Sequence, residues 1–121
     1  AFKSKRGFMV LDDSYSSNPI GFKRALAVLK GRPEKRKILI TSGIIELGEA
    51  SVKIHNELGK FEKEVTGNVF ITRPEFAKSF GGELMENPKN LLNTVRSIAD
   101  KDTVILVEGR VNKWLVQSLH N

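Results

Sequence analysis

Five short apolar runs alternate with five amphipathic segments along the whole chain, and this alternation constrains the fold more than any other feature. Phe8–Leu11, Ile38–Ile40, Val69–Ile71, Glu83–Glu86 and Thr103–Val107 read as strands. Unbroken apolar runs of this length suit strands buried on both faces. Asn18 reads as an N-cap with Pro19 at the first helical position, opening a helix to about Lys30 whose stripe is Phe22, Ala25, Leu26 and Leu29. A second helix spans about Glu49 to Val65, with Ile54, Leu58, Phe61 and Val65 inward. Pro74 opens a short helix through Phe80. Asn87-Pro88 repeats the Asn-Pro start and leads a helix to Ala99, and a last helix spans Val111 to Leu119. Strict β-α alternation predicts an α/β, doubly wound, mostly parallel sheet of five to six strands with helices on both faces.

In such a sheet the loops after the strands share one edge, and ligands bind in the crevice there. That edge collects Asp12–Asn18, Ser42–Gly48, Thr72–Pro74 and Glu108–Arg110. The stretch Asp12-Asp13-Ser14-Tyr15-Ser16-Ser17-Asn18-Pro19 is the most distinctive. It runs from a buried strand through two carboxylates and small polar residues into a helix N-terminus, bringing acceptors and backbone donors together. Neighbours on a strand point to opposite faces, so one of the two acids is expected to face the crevice. That acid could accept from ribose hydroxyls or hold a cation; the alternative is that one of the two merely caps the loop's own amides. The loop Gly43–Gly48 carries Ile44, Ile45 and Leu47, so it is expected to pack on something.

Several chemistries are excluded or disfavoured. There is no cysteine, hence no disulfide, thiolate metal site or thiol nucleophile. Neither a Gly-x-Gly-x-x-Gly nor a Gly-x-x-x-x-Gly-Lys-Ser/Thr phosphate loop is present. No histidines stand at metal-ligand spacing. His55 lies beside the second helix's apolar stripe and reads as a helix-flank residue. Ser14, Ser16 and Ser17 have no base nearby for nucleophilic catalysis. A phosphoryl-accepting receiver domain would need an Asp after the third strand and a Lys after the fifth, where Thr72-Arg73 and Glu108-Gly109 stand instead. No catalytic residue and no metal ligand is therefore assigned. The net charge of +6 is concentrated in residues 1–37. A basic third could attract phosphate or nucleic acid, but no aromatic residues interleave the basic stretches as in single-strand binders. Nucleic acid is accordingly not the expected partner, although a stand-alone binding module with a basic face is the alternative reading. No apolar run approaches the roughly 18 residues of a membrane helix, and no secretion signal is read.

The motifs resemble a known family. Asp12-Asp13-Ser14-Tyr15-Ser16-Ser17-Asn18-Pro19 is similar to the Asp-Asp-Ser-Tyr-Asn-Ala-Asn-Pro signature of Mur ligase C-terminal domains, in the MurF branch. Glu46-Leu47-Gly48-Glu49 with His55 and Gly59 resembles the family's second segment, and Val104–Arg110 falls where it keeps a strand ending in a Gly turn. The resemblance implies one Rossmann-like lid domain over residues 1–121, from a ligase whose N-terminal and central ATPase domains are absent here. It implies an ATP-dependent, ADP-forming acid–amino acid ligase of peptidoglycan precursor synthesis in the cytoplasm, inactive as this domain alone. ATP and Mg²⁺ would be bound mainly by the central domain, and the partners would be ATP, a UDP-muramoyl-peptide and an amino acid or dipeptide. Carried over by position, Asp12, Asp13, Asn18 and Pro19 fall to the nucleotide, with Asp13 on its ribose or adenine side. Tyr15, Ser16, Ser17, Glu46, Gly109 and Arg110 fall to the amino component, Arg110 toward a carboxylate. Ser16 and Ser17 replace the branch's usual Asn and Ala, and Glu108 stands where a Lys is usual. A lid of a sister ligase, of folylpolyglutamate or cyanophycin type, would differ only in its amino substrate.

Overall fold

The computed structural model describes residues 1–121. Its strands are β1 (Phe2–Lys3), β2 (Met9–Asp13), β3 (Arg36–Thr41), β4 (Val69–Ile71), β5 (Glu83–Leu84) and β6 (Thr103–Glu108). Its helices are α1 (Pro19–Lys30), α2 (Ser51–Val65), α3 (Pro74–Phe80), α4 (Pro88–Ile98) and α5 (Lys113–Ser118). All strands join one sheet in the order β1-β2-β6-β3-β4-β5, parallel except for β1. The expected α/β architecture is the one observed.

Local signals act as their chemistry dictates. The Asn18 side chain accepts from the Gly21 amide at 2.7 Å, and Asn87 does the same for Asn90 at 3.1 Å, so both Asn-Pro pairs start helices. Beyond a shorter β5 and α5 than the sequence reading gives, three features differ from it. Residues Gly48–Ala50 form a 3₁₀ turn before α2, whose start has no side-chain cap. The short antiparallel β1 was not expected. It is held from outside its own residues: Phe2 stacks on His120 at 3.6 Å, and the Lys5 amide donates to the His120 carbonyl. Glu108, read as part of a turn, is the last residue of β6, because it is in register with Asp13 on one side and Thr41 on the other.

Side-chain alternation gives the sheet two faces. Val10, Ile38, Ile40, Phe70, Ile105 and Val107 pack under α4 and α5. Leu39, Val69, Ile71, Val104 and Leu106 pack under α1, α2 and α3, joined by Ile44. The chain leaves β2 and β3 toward the second face and leaves β6 toward the first. The connections therefore part at the carboxyl ends of β2, β6 and β3, and a crevice opens at that switch point.

Candidate functional site

Asp13 continues the Met9, Leu11 face of β2, and Glu108 continues the Val104, Leu106 face of β6. Thr41 ends β3 on the same face. Strand register thus sets Asp13, Glu108 and Thr41 side by side at the mouth of the crevice. Asp12 takes the opposite side and is exposed, its Oδ1 accepting from the Ser14 amide at 3.0 Å. The two acids separate as strand alternation predicts, one capping its own loop and the other half-buried at the crevice.

The loop after β2 is tightly built. The Asp13 carbonyl accepts from the Ser16 amide at 3.1 Å and from the Gly109 amide at 3.4 Å, which ties the ends of β2 and β6 together. A Cβ on Gly21 would stand 2.9 Å from Ser16 Oγ, so the loop folds against the first turn of α1. Beside it lies a hollow of about 360 Å³ whose lining includes Leu11, Asp13, Ser16, Arg24, Val28 and Leu106. Asp12 also borders this hollow. Tyr15 and Ile20 project outward, 83% and 67% exposed. Ser17 is half-buried in the loop, and Asn18 and Pro19 begin the helix.

Across the crevice, Gly109 is buried at φ +87°, and a Cβ there would meet Ser42 Oγ at 2.8 Å and the Gly43 carbonyl at 3.0 Å. This close approach packs the turn after β6 onto the loop after β3. Arg110 and Glu46 are exposed, Glu46 holding a left-handed φ of 66°. Thr72–Pro74 follow β4, which lies beyond β3 from the crevice. Of the residues assigned from sequence, the structure brings Asp12, Asp13 and Ser16 around one hollow, while Tyr15, Glu46 and Arg110 stand exposed outside it.

Three residues that took no part in the sequence-based site belong to its construction. His55 is fully buried rather than a surface flank residue. Its Nε2 accepts from the Ile44 amide at 3.0 Å, so Nδ1 carries the proton and donates to the Ser51 carbonyl at 2.7 Å. Its ring stacks on Phe76 at 4.3 Å. Burial pushes its pKa below the ordinary value, against the opposing pull of the Ser51 carbonyl. This neutral ring fixes the apolar loop after β3, whose Ile44 is buried as expected. Arg24, on α1, brings a cation to the hollow that Asp13 lines.

Glu108 is the third. It is 1% exposed, and neither carboxyl oxygen has a hydrogen-bond donor. Burial first, then the neighbouring Asp13 carboxyl, push its pKa up to about 10. The only sequence signal was a charged residue closing an apolar run.

Comparisons with known proteins bear on the fold. No protein-family model matches the chain, and no curated protein matches its sequence. Among solved structures, the MurF ligase of Thermotoga maritima in complex with ADP superposes with a TM-score of 0.83 over 98% of this chain, at 24% identity. A domain from Haemophilus ducreyi 35000HP, assigned to a UDP-N-acetylmuramate:L-alanyl-gamma-D-glutamyl-diaminopimelate ligase, superposes with a TM-score of 0.63 over 97% at 14% identity. The chain spans 29% of the length of the first structure's chain and 92% of the second. The fold is the one found within these ligases.

Proposed function

We propose that this chain is the C-terminal, substrate-binding lid domain of an ATP-dependent amide ligase of the Mur type, acting in peptidoglycan precursor synthesis. The superposition on an ADP-bound MurF ligase over nearly the whole chain is the observation that carries this reading. The Asp-Asp-Ser-Tyr loop at the switch-point crevice agrees with it. In such a ligase a substrate carboxylate takes the γ-phosphoryl group of ATP, and the incoming amine displaces phosphate from the acyl phosphate to leave an amide.

The residues present fit the nucleoside end of ATP better than its phosphates. Asp13 offers a half-buried acceptor for ribose hydroxyls, and exposed Tyr15 stays with the amino component. The chain has no phosphate loop, and no three acidic or histidine side chains converge as a metal site. Phosphates and Mg²⁺ therefore fall to a central ATPase domain, against which this domain closes. Lid closure assembles the site and excludes water, so this domain's contribution is positioning rather than bond-making. Asn18 and Pro19 hold the loop through the α1 cap. Ser16, Ser17, Gly109 and Arg110 border the space left for the amino component, with Glu46 on the neighbouring loop. A cytoplasmic location goes with this reading, since ATP and a nucleotide-linked precursor are the expected substrates.

An amide NMR titration of this chain with Mg·ATP and then D-alanyl-D-alanine tests the reading. The expected shifts fall on Asp12–Asn18 and Gly109–Arg110. The titration is repeated with the N-terminal and central ligase domains added in trans, following phosphate release. Absence of both shifts and turnover in that mixture would overturn the assignment.

A further inference from the structure

Glu108 is the least expected side chain in the molecule. A carboxyl group sealed from water is costly when ionised and without a donor. Its partner across the parallel ladder is Asp13, another carboxyl. When one of two adjacent carboxylates is sealed from water, charging both is disfavoured, and such a pair shares one proton. The proton belongs on the buried member, 1% exposed, rather than on half-buried Asp13. Once Glu108 is protonated, its unpartnered oxygens cease to be an anomaly, because it becomes a donor with an acceptor beside it.

The elements around the pair leave this arrangement undisturbed. Thr41, on β3, is uncharged and gives its hydroxyl as acceptor to the Gly43 amide at 3.0 Å. His55, on α2, is turned to Ile44 and Ser51. Arg24, on α1, lines the hollow with Asp13, and Arg110 is exposed on the turn after β6. Asp13 is the one charged group that bears on Glu108.

We propose that Glu108 is a positioning residue: its protonated carboxyl donates a hydrogen bond to the Asp13 carboxyl group and holds it toward the crevice as an acceptor for ligand hydroxyls. The role of Asp13 toward a ribose rests on the proposed function; the shared proton does not. The pair then carries a single negative charge, which selects a ligand edge rich in donors and turns phosphates away. Loss of the shared proton at high pH doubles the charge and spreads the pair.

The test uses carboxyl ¹³C NMR and Mg·ADP binding on four proteins: wild type, Glu108→Gln, Glu108→Leu and Asp13→Asn. The Glu108 signal of the wild type is expected to show no titration across the ordinary carboxylate range, and to titrate lower in Asp13→Asn. Glu108→Gln keeps a neutral donor, so its affinity stays within about threefold of wild type, while Glu108→Leu and Asp13→Asn each lose about tenfold or more, as loss of a charge-assisted hydrogen bond implies. The high-pH decline in wild-type affinity disappears in Glu108→Gln. A Glu108 signal titrating near 4.5, its unperturbed value, would overturn the shared proton. Glu108→Leu binding as well as wild type, with Asp13→Asn weakened, would overturn the positioning role. Binding is measured with the N-terminal and central ligase domains added in trans; if none of the four binds Mg·ADP in that mixture, the ligase reading and the positioning role both fail, and the titration alone still decides whether the proton is shared.

Discussion

The two faces of the sheet use alternate residues of the same strands and have been put to different work. Under α4 and α5 the strands contribute Val10, Ile38, Ile40, Ile105 and Val107, an apolar core that closes on Leu91, Val95 and Leu115. Under α1, α2 and α3 the core is as well buried, but its carboxyl end carries Asp13, Thr41 and Glu108, and His55 is buried beneath the loop after β3. A strand that ends in a polar residue at the crevice bears that cost on one face only, because the next residue belongs to the other face. The difference teaches that this fold can carry a polar site without thinning its whole core.

The largest test of that division is Leu91→Ala, on the apolar face. Leu91 is fully buried, and its truncation should cost about 3 kcal/mol. Denaturant unfolding would show this, with no change in ligand-induced NMR shifts at the crevice. A ligand effect as large as the stability effect would break the comparison.

His55→Ala comes next, at about 2 kcal/mol, because the buried Ile44 amide loses its acceptor and Phe76 its stacked neighbour. The pH dependence sharpens it. The folded-state pKa of His55 is lowered, so this contribution is present above the unfolded value of about 6.5 and is lost as pH falls below it. A denaturation series through that window should show a positive slope in the wild type that shrinks in the variant.

Asn18→Ala and Asn87→Ala should each cost about 1 kcal/mol, since both remove an N-cap of the same design. Only Asn18→Ala should also weaken ligand shifts, because only its helix follows the crevice loop. Equal effects on ligand binding would deny the loop its role.

Glu108→Gln is expected to have the smallest effect at low pH and to reverse sign as pH rises. The folded-state pKa of Glu108 is raised to about 10, so its contribution is full below the unfolded value of about 4.5 and declines between the two. The Gln variant, which cannot ionise, should overtake the wild type in stability within that interval. Urea midpoints measured at several pH values would settle the sign.

Much of this molecule could be read before any coordinates. Asn18-Pro19 and Asn87-Pro88 start helices because a side-chain cap and a fixed proline φ act within four residues. Val69–Ile71 and Thr103–Val107 are strands because a buried parallel ladder tolerates no polar alternation. That Asp12 and Asp13 point to opposite sides followed from strand alternation alone; which of them lines the crevice did not. By contrast, β1 was invisible: Phe2-Lys3 has no pattern of its own and is ordered by β2 and by His120. His55 looked peripheral because helical periodicity places it beside the stripe, and only the loop carrying Ile44 buries it.

The sequence by itself determined the elements other than β1, their order and the edge at which a ligand could sit, since these depend on periodicity, caps and turns that act over a few residues. The tertiary structure alone decided that β6 enters the sheet between β2 and β3. That placement sets Glu108 beside Asp13 from opposite ends of the chain and removes Glu108 from bulk water. An isolated Glu in a sequence carries an ordinary pKa and an ordinary charge. Desolvation and a second carboxyl across a ladder are properties of the packed sheet, and they turn this residue into a proton donor.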